Sequence, residues 1–105
     1  MIIETPYKQN DTITVKTNAG EELVARFVEE DAETITVQKA LAIMATQQGI
    51  GLAPFSFTLP QDAKIKMRKS AILFIAKTDS EMAKHYVSNT TGISMASGQM
   101  AGLQL

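Results

Sequence analysis

A series of short segments in which apolar and polar residues alternate constrains this chain more than any other feature. Thr12, Thr14 and Lys16 fall on one side of an extended backbone, and Ile13 and Val15 on the other. That is the period-two signature of a half-buried strand. Asn18-Ala19-Gly20 follows, and Asn and Gly tolerate the positive φ of a tight turn. Alternation resumes over Glu22 to Glu29, with Leu23, Ala25 and Phe27 on one face. The two segments and their turn predict a hairpin. Glu29-Glu30-Asp31-Ala32-Glu33 is a second polar turn, and Thr34-Ile35-Thr36-Val37 starts a third strand that runs on towards Leu41 and Ile43. Three sequential antiparallel strands make a meander.

The next stretch is less regular. Ala45 to Ala53 contains Gln47, Gln48, Gly49 and Gly51 without a clear period and reads as a loop. Pro54 and Pro60 bracket Phe55 to Leu59, a candidate strand extension, because proline suits strand ends and edges. Lys64, Lys66 and Arg68 then alternate with Ile65 and Met67. Ala71 to Ala76 is continuously apolar, the pattern of a strand covered on both faces, and part of that cover is expected from another subunit. Thr78-Asp79-Ser80-Glu81 has the spacing of a capping box in which Thr78 and Glu81 satisfy each other's amides. It predicts a short helix over 79–88, with Met82 and Tyr86, and Ala83 and Val87, on one face. The chain thus divides into an N-terminal extension (1–10), a domain (11–88) that includes the helix, and a tail (89–105) expected to be mobile unless docked on a partner.

Composition closes off several function classes. The 105 residues suit one domain, and a core this small makes oligomerisation an expectation. There is no cysteine, which removes disulfides, thiolate metal sites and cysteine nucleophiles. The formal net charge of -1 gives no global attraction to nucleic acid or membrane. No apolar run reaches the roughly 20 residues that span a bilayer, and the first residues lack the pattern of a signal peptide. A cytoplasmic protein is expected.

Five strands around an acidic turn resemble the Sm-like (LSm) family. The residues that carry the likeness are Ile13 and Val15, Gly20, Leu23 and Phe27, Asp31, then Ile35 and Val37. A second block, Met67-Arg68-Lys69-Ser70-Ala71-Ile72-Leu73-Phe74-Ile75, follows the apolar-Arg-Gly pattern of the second Sm motif, with Lys69 in the place of Gly. The likeness covers about Asp11 to Lys77. It implies an all-β fold, a strongly bent five-stranded small barrel, here with a short C-terminal helix. It also implies a cyclic homo-oligomer, pentamer to heptamer, in which the fourth strand of one subunit pairs with the fifth of the next. Lys64, Ile65, Met67, Ile72, Leu73, Phe74 and Ile75 would form that interface. The departures are specific: no Asn follows Asp31, no aromatic or His is placed for base stacking, and the helix follows the strands instead of preceding them. Small Sm-like proteins of phage and marine viral origin diverge in a similar way.

The candidate RNA-contacting residues are Asp31, Lys66, Arg68 and Lys69. Alternation spaces Lys64, Lys66 and Arg68 about 7 Å apart on one strand face, where they can follow phosphates or simply stay solvated and protect an edge. Arg68 is the most versatile of them, since guanidinium both stacks and forks to phosphate. The acidic turn is either a solvated turn or, in a ring, a concentration of negative charge that repels phosphate. His85, the only histidine, reads as a surface residue. Gln47-Gln48-Gly49-Ile50-Gly51 lacks the spacing and lysine of a phosphate loop. No catalytic set, metal-ligand spacing or cofactor motif emerges, so no enzyme is expected. The remaining functions are a ring that contacts single-stranded RNA, and an adaptor ring that binds a protein partner, through the tail with its Met95 and Met100.

Overall fold

The computed structural model describes residues 7–91. The expected tail beyond them, with Met95 and Met100, and the first six residues of the N-terminal extension lie outside the described residues. The chain forms six strands, β1 (Thr12–Thr17), β2 (Glu22–Glu30), β3 (Thr34–Thr46), β4 (Gly49–Pro54), β5 (Lys64–Arg68) and β6 (Ile72–Lys77), then a helix, α1 (Ser80–Thr91). One turn of 3-10 helix, Lys69–Ala71, joins β5 to β6. All strand pairs are antiparallel. The sheet runs β4-β3-β2-β1-β6, and β5 pairs with β3 beside β4. A strongly bent antiparallel sheet with one C-terminal helix is therefore the architecture, with one strand more than expected.

Alternation dictates the core. Ile13, Val15, Leu23, Ile35 and Val37 have no exposed surface, and Ala25 and Phe27 join them. Tyr7 of the N-terminal extension closes one end of this cluster, its ring edge-on to Phe27 at 4.8 Å. Gly20 sits at φ +100, where a side chain is strained, and turns β1 into β2 with its N–H on the Thr17 carbonyl.

Irregularities bend the sheet. Lys39 has φ 55, and the β2–β3 register shifts twice, between Val24 and Arg26 and between Phe27 and Glu29. Such bulges kink a strand and sharpen its twist. They let one long strand serve two partners: residues Thr34 to Gln38 pair with β5, and Leu41 to Thr46 pair with β4. The segment Ala45 to Ala53, read as a loop, is thus corrected. Its ends are strands, and Gln47-Gln48 is the turn, closed by Gly49 at φ 122. Its alternation is weak in the sequence because neither side carries charge. Phe55 to Leu59 forms no strand.

The capping box also needs correction. Asp79, not Thr78, caps α1: its Oδ2 accepts from the amides of Glu81 at 3.1 Å and Met82 at 3.4 Å. The Thr78 hydroxyl is taken instead by the Thr14 hydroxyl of β1, at 2.9 Å. The helix runs to Thr91 and does not stop at Ser88. It packs against β1. Tyr86 is buried and its hydroxyl donates to the Lys39 carbonyl at 2.7 Å. The bulge that bends β3 thus supplies the acceptor that docks the helix.

Candidate nucleic-acid and assembly surfaces

Strand pairing assembles a groove from residues that are distant in sequence. Across the β3–β5 ladder Arg68 lies opposite Thr34, and Lys66 opposite Thr36. The turn between β2 and β3 borders them. Asp31 organises that turn: its Oδ1 accepts from the amides of Glu33 at 2.9 Å and Thr34 at 2.8 Å, and from the Thr34 hydroxyl at 3.0 Å. These bonds hold the Asp31 carboxyl below its ordinary range, and the nearby Lys66 ammonium adds a smaller push the same way. A small concavity bounded by Glu29, Glu30, Asp31, Thr34, Thr36 and Lys66 opens beside a wider one. The wider groove, about 610 Å³, is lined by Ala32, Glu33, Thr34, Lys66, Arg68, Lys69 and Ser70. Lys66, Arg68 and Lys69 line the wider groove and Asp31 the smaller concavity, and Thr34 and Lys66 belong to both.

The groove is built rigidly around Arg68. Two backbone bonds pin the turn that follows it, Lys69 N–H to the Glu33 carbonyl at 2.8 Å and Asn18 N–H to the Ala71 carbonyl at 2.9 Å. Asn18 also donates from Nδ2 to the Ser70 carbonyl at 2.8 Å. Sequence reading assigned Asn18 only to its own tight turn. Its use as a clasp on the β5–β6 turn depends on contacts no local pattern encodes.

Charge in the groove is nearly balanced. Lys66 and Arg68 are exposed, whereas Lys69 forms an ion pair with Glu30 at 2.8 Å. The Tyr7 hydroxyl donates to both oxygens of the same Glu30 carboxylate at 3.3 Å. Burial, then the Glu30 charge, push the Tyr7 phenol above its usual range. Glu29, Asp31 and Glu33 offset the remaining cations. Tyr7 is a residue that sequence reading did not single out, and Glu30 was read only as part of the acidic turn. Among the described residues no group of three or more His, Asp or Glu is placed to hold a metal ion. His85 is exposed, and its ring faces the Asn89 side chain.

The residues expected at an assembly interface divide into two sets. Ile65, Met67, Ile72 and Ile75 are half-buried and pack against the chain's own core. Lys64, Leu73 and Phe74 are exposed, Leu73 by 64% and Phe74 by 50%. A register shift on β1 explains this division. Ile72 pairs with Thr17 and Phe74 with Lys16, which leaves Leu73 as the extra residue of a bulge. Ile72 and Ile75 consequently both turn inward, while Leu73 and Phe74 stay out. The strand that read as covered on both faces is covered on one within this chain. β5 pairs only with β3, and β6 only with β1, so each keeps an open edge among the described residues. No helix of the described residues is long and apolar enough to cross a membrane.

No family model matches the sequence, and no curated protein does. Solved structures do match. One is the crystal structure of a heptameric archaeal Sm protein, which is 12% identical, with 67% of this chain and 88% of that chain covered at a TM-score of 0.45.

Proposed function

We propose that this protein is the subunit of a cyclic homo-oligomer, pentamer to heptamer, that contacts single-stranded RNA through Lys66 and Arg68. The observation that carries the reading is the pair of open edges at the two ends of the bent sheet, one of them bearing exposed Leu73 and Phe74. Open edges with exposed apolar side chains are liabilities that proteins cover. An edge-to-edge contact between β5 of one subunit and β6 of the next covers both in a single head-to-tail interface, and repetition of such an interface closes a ring. The resemblance of the Gly20, Asp31 and Arg68 blocks to Sm-like proteins agrees with this arrangement.

Each subunit brings only two unpaired cations to the groove, so binding per subunit is weak and ring symmetry supplies the avidity. Fluorescence anisotropy with U-rich and A-rich RNA at low salt tests the RNA component. Binding that Arg68→Ala removes supports it, and no binding at micromolar ring defeats it.

A second reading has its own support. Four carboxylates lie beside these cations: Glu33 lines the groove with Lys66, Arg68 and Lys69, and Glu29, Glu30 and Asp31 line the adjoining concavity with Lys66. That balance suits a ring that holds a protein partner better than one that holds phosphates. Recovery of one stoichiometric protein on the ring, lost when Lys66 and Arg68 are reversed in charge, distinguishes this adaptor from an RNA binder.

A further inference from the structure

The chain contains no charged residue between Lys39 and Asp62, although charged residues make up 20% of it. The outer half of β3 and all of β4 lie in this stretch. β2 stops pairing with β3 at Ala42, whereas β4 continues to Thr46. The ribbon from Ile43 outward thus has only two strands. Cross-strand pairs sort its side chains: Leu41 with Pro54, Ile43 with Leu52 and Ala45 with Ile50 on one face, and Ala42 with Ala53, Met44 with Gly51 and Thr46 with Gly49 on the other. Ile50 is 59% exposed and Met44 50%. The outer edge of β4 pairs with nothing among the described residues.

Two-stranded ribbons are marginal in water by themselves. Exposed edges are ordinarily blunted by lysine, glutamate or an interior bulge, and β4 has only Pro54 at its far end. We propose that β4 pairs antiparallel with β4 of a second copy about a two-fold axis, making a four-stranded sheet across two subunits. Charge selects the occupant. A partner face carrying charge would lose its hydration here against a surface with no counter-charge to offer. The docking face must be uncharged, and of the two open edges that carry little or no charge, β4 and β6, only β4 lies outside the contact proposed for the ring. Gly51 points the same way. Its backbone is not left-handed, and an added Cβ meets only ordinary contact, 3.6 Å from Thr46 Cγ2. The subunit alone does not require glycine there, but a small residue in mid-strand lets another backbone approach closely. The contact uses neither β5 nor β6. It is therefore independent of ring closure and, combined with it, joins two rings through their hairpins.

Native mass spectrometry of the full chain tests this. Ile50→Lys, at an exposed position, halves the native mass, Leu73→Glu reduces the assembly to a dimer, and the two together give a monomer. An unchanged mass for Ile50→Lys overturns the hairpin contact, and so does a wild-type monomer. A halved mass for Ile50→Lys with no effect of Leu73→Glu counts against the ring alone. If Ile50→Lys fails to fold, Leu52→Cys decides, because the chain has no other cysteine. A disulfide-linked dimer on mild oxidation supports the pairing, and its absence overturns it. Co-sedimentation of wild type with phosphatidylcholine vesicles, at unchanged Ile50→Lys mass, makes lipid the occupant and also overturns it.

Discussion

Lys69 Nζ lies 2.8 Å from Glu30 Oε1, so the groove neutralises one of its own cations. Both side chains keep some exposure, 32% and 22%. Removing the pair therefore changes stability by less than about 1 kcal/mol. Its effect on ligand binding is larger in kind. Glu30→Gln frees the ammonium for phosphate, and the slope of log affinity against log salt steepens by about 0.7 for each further phosphate neutralised on a single strand. Salt-dependent anisotropy measures it. An unchanged slope means Lys69 does not face the RNA.

Arg68 is exposed at the end of β5, and the turn after it is pinned from Asn18 and Glu33. Arg68→Ala therefore lowers RNA affinity without shifting the thermal midpoint. Arg68→Lys keeps the charge but loses the fork and the stacking plane. It restores the salt slope without restoring the full affinity. Affinity for Arg68→Lys equal to that of wild type would show that Arg68 acts only as a point charge.

Asp31 makes stability depend on acid. Bonds from Glu33 and Thr34 hold its carboxyl below the ordinary value of 3.8 in the folded chain. A depressed folded-state value means the contribution is complete above the unfolded value. It is lost as pH falls through the folded one. Thermal melts of wild type and Asp31→Asn should differ at pH 6 and converge as pH drops from about 4 towards 2. A gap that stays constant over that range would show that the carboxylate charge contributes nothing.

Tyr86 is the anchor of α1, 2% exposed, with its hydroxyl on the Lys39 carbonyl. Tyr86→Phe should cost about 1 kcal/mol for the lost hydrogen bond. Tyr86→Ala should cost about 3–5 kcal/mol, because it also leaves a cavity. Urea denaturation separates the two. Burial pushes the phenol well above its ordinary 10.0, so its contribution holds below that pH and is lost as pH rises past it. Equal losses for Phe and Ala would mean the ring packs against little.

Most of the sheet was legible because burial and alternation coincide. Ile13 and Val15, Leu23 and Phe27, Ile35 and Val37, and Ile65 with Met67 face inward as their spacing requires. β4 was hidden because its two faces differ in size, not polarity, and because Gly49 and Gly51 suggest a loop. The correct cap was a choice between neighbours, Thr78 and Asp79, and Thr14 decided it from β1. Leu73 and Phe74 read as doubly covered because no local signal announces a bulge. Around the groove, Arg68 and Asp31 stood out through the resemblance to the Sm motifs. The Tyr7–Glu30–Lys69 chain spans contacts between the N-terminal segment, β2 and the turn after β5, which no local pattern encodes.

Whether open β-edges join identical subunits is tested most directly by the native mass of the purified wild-type chain at micromolar concentration. The expected result is an assembly of five to seven copies of the 11.4 kDa chain, or twice that number where the hairpins also pair. A species of 11.4 kDa that persists as concentration rises would contradict it.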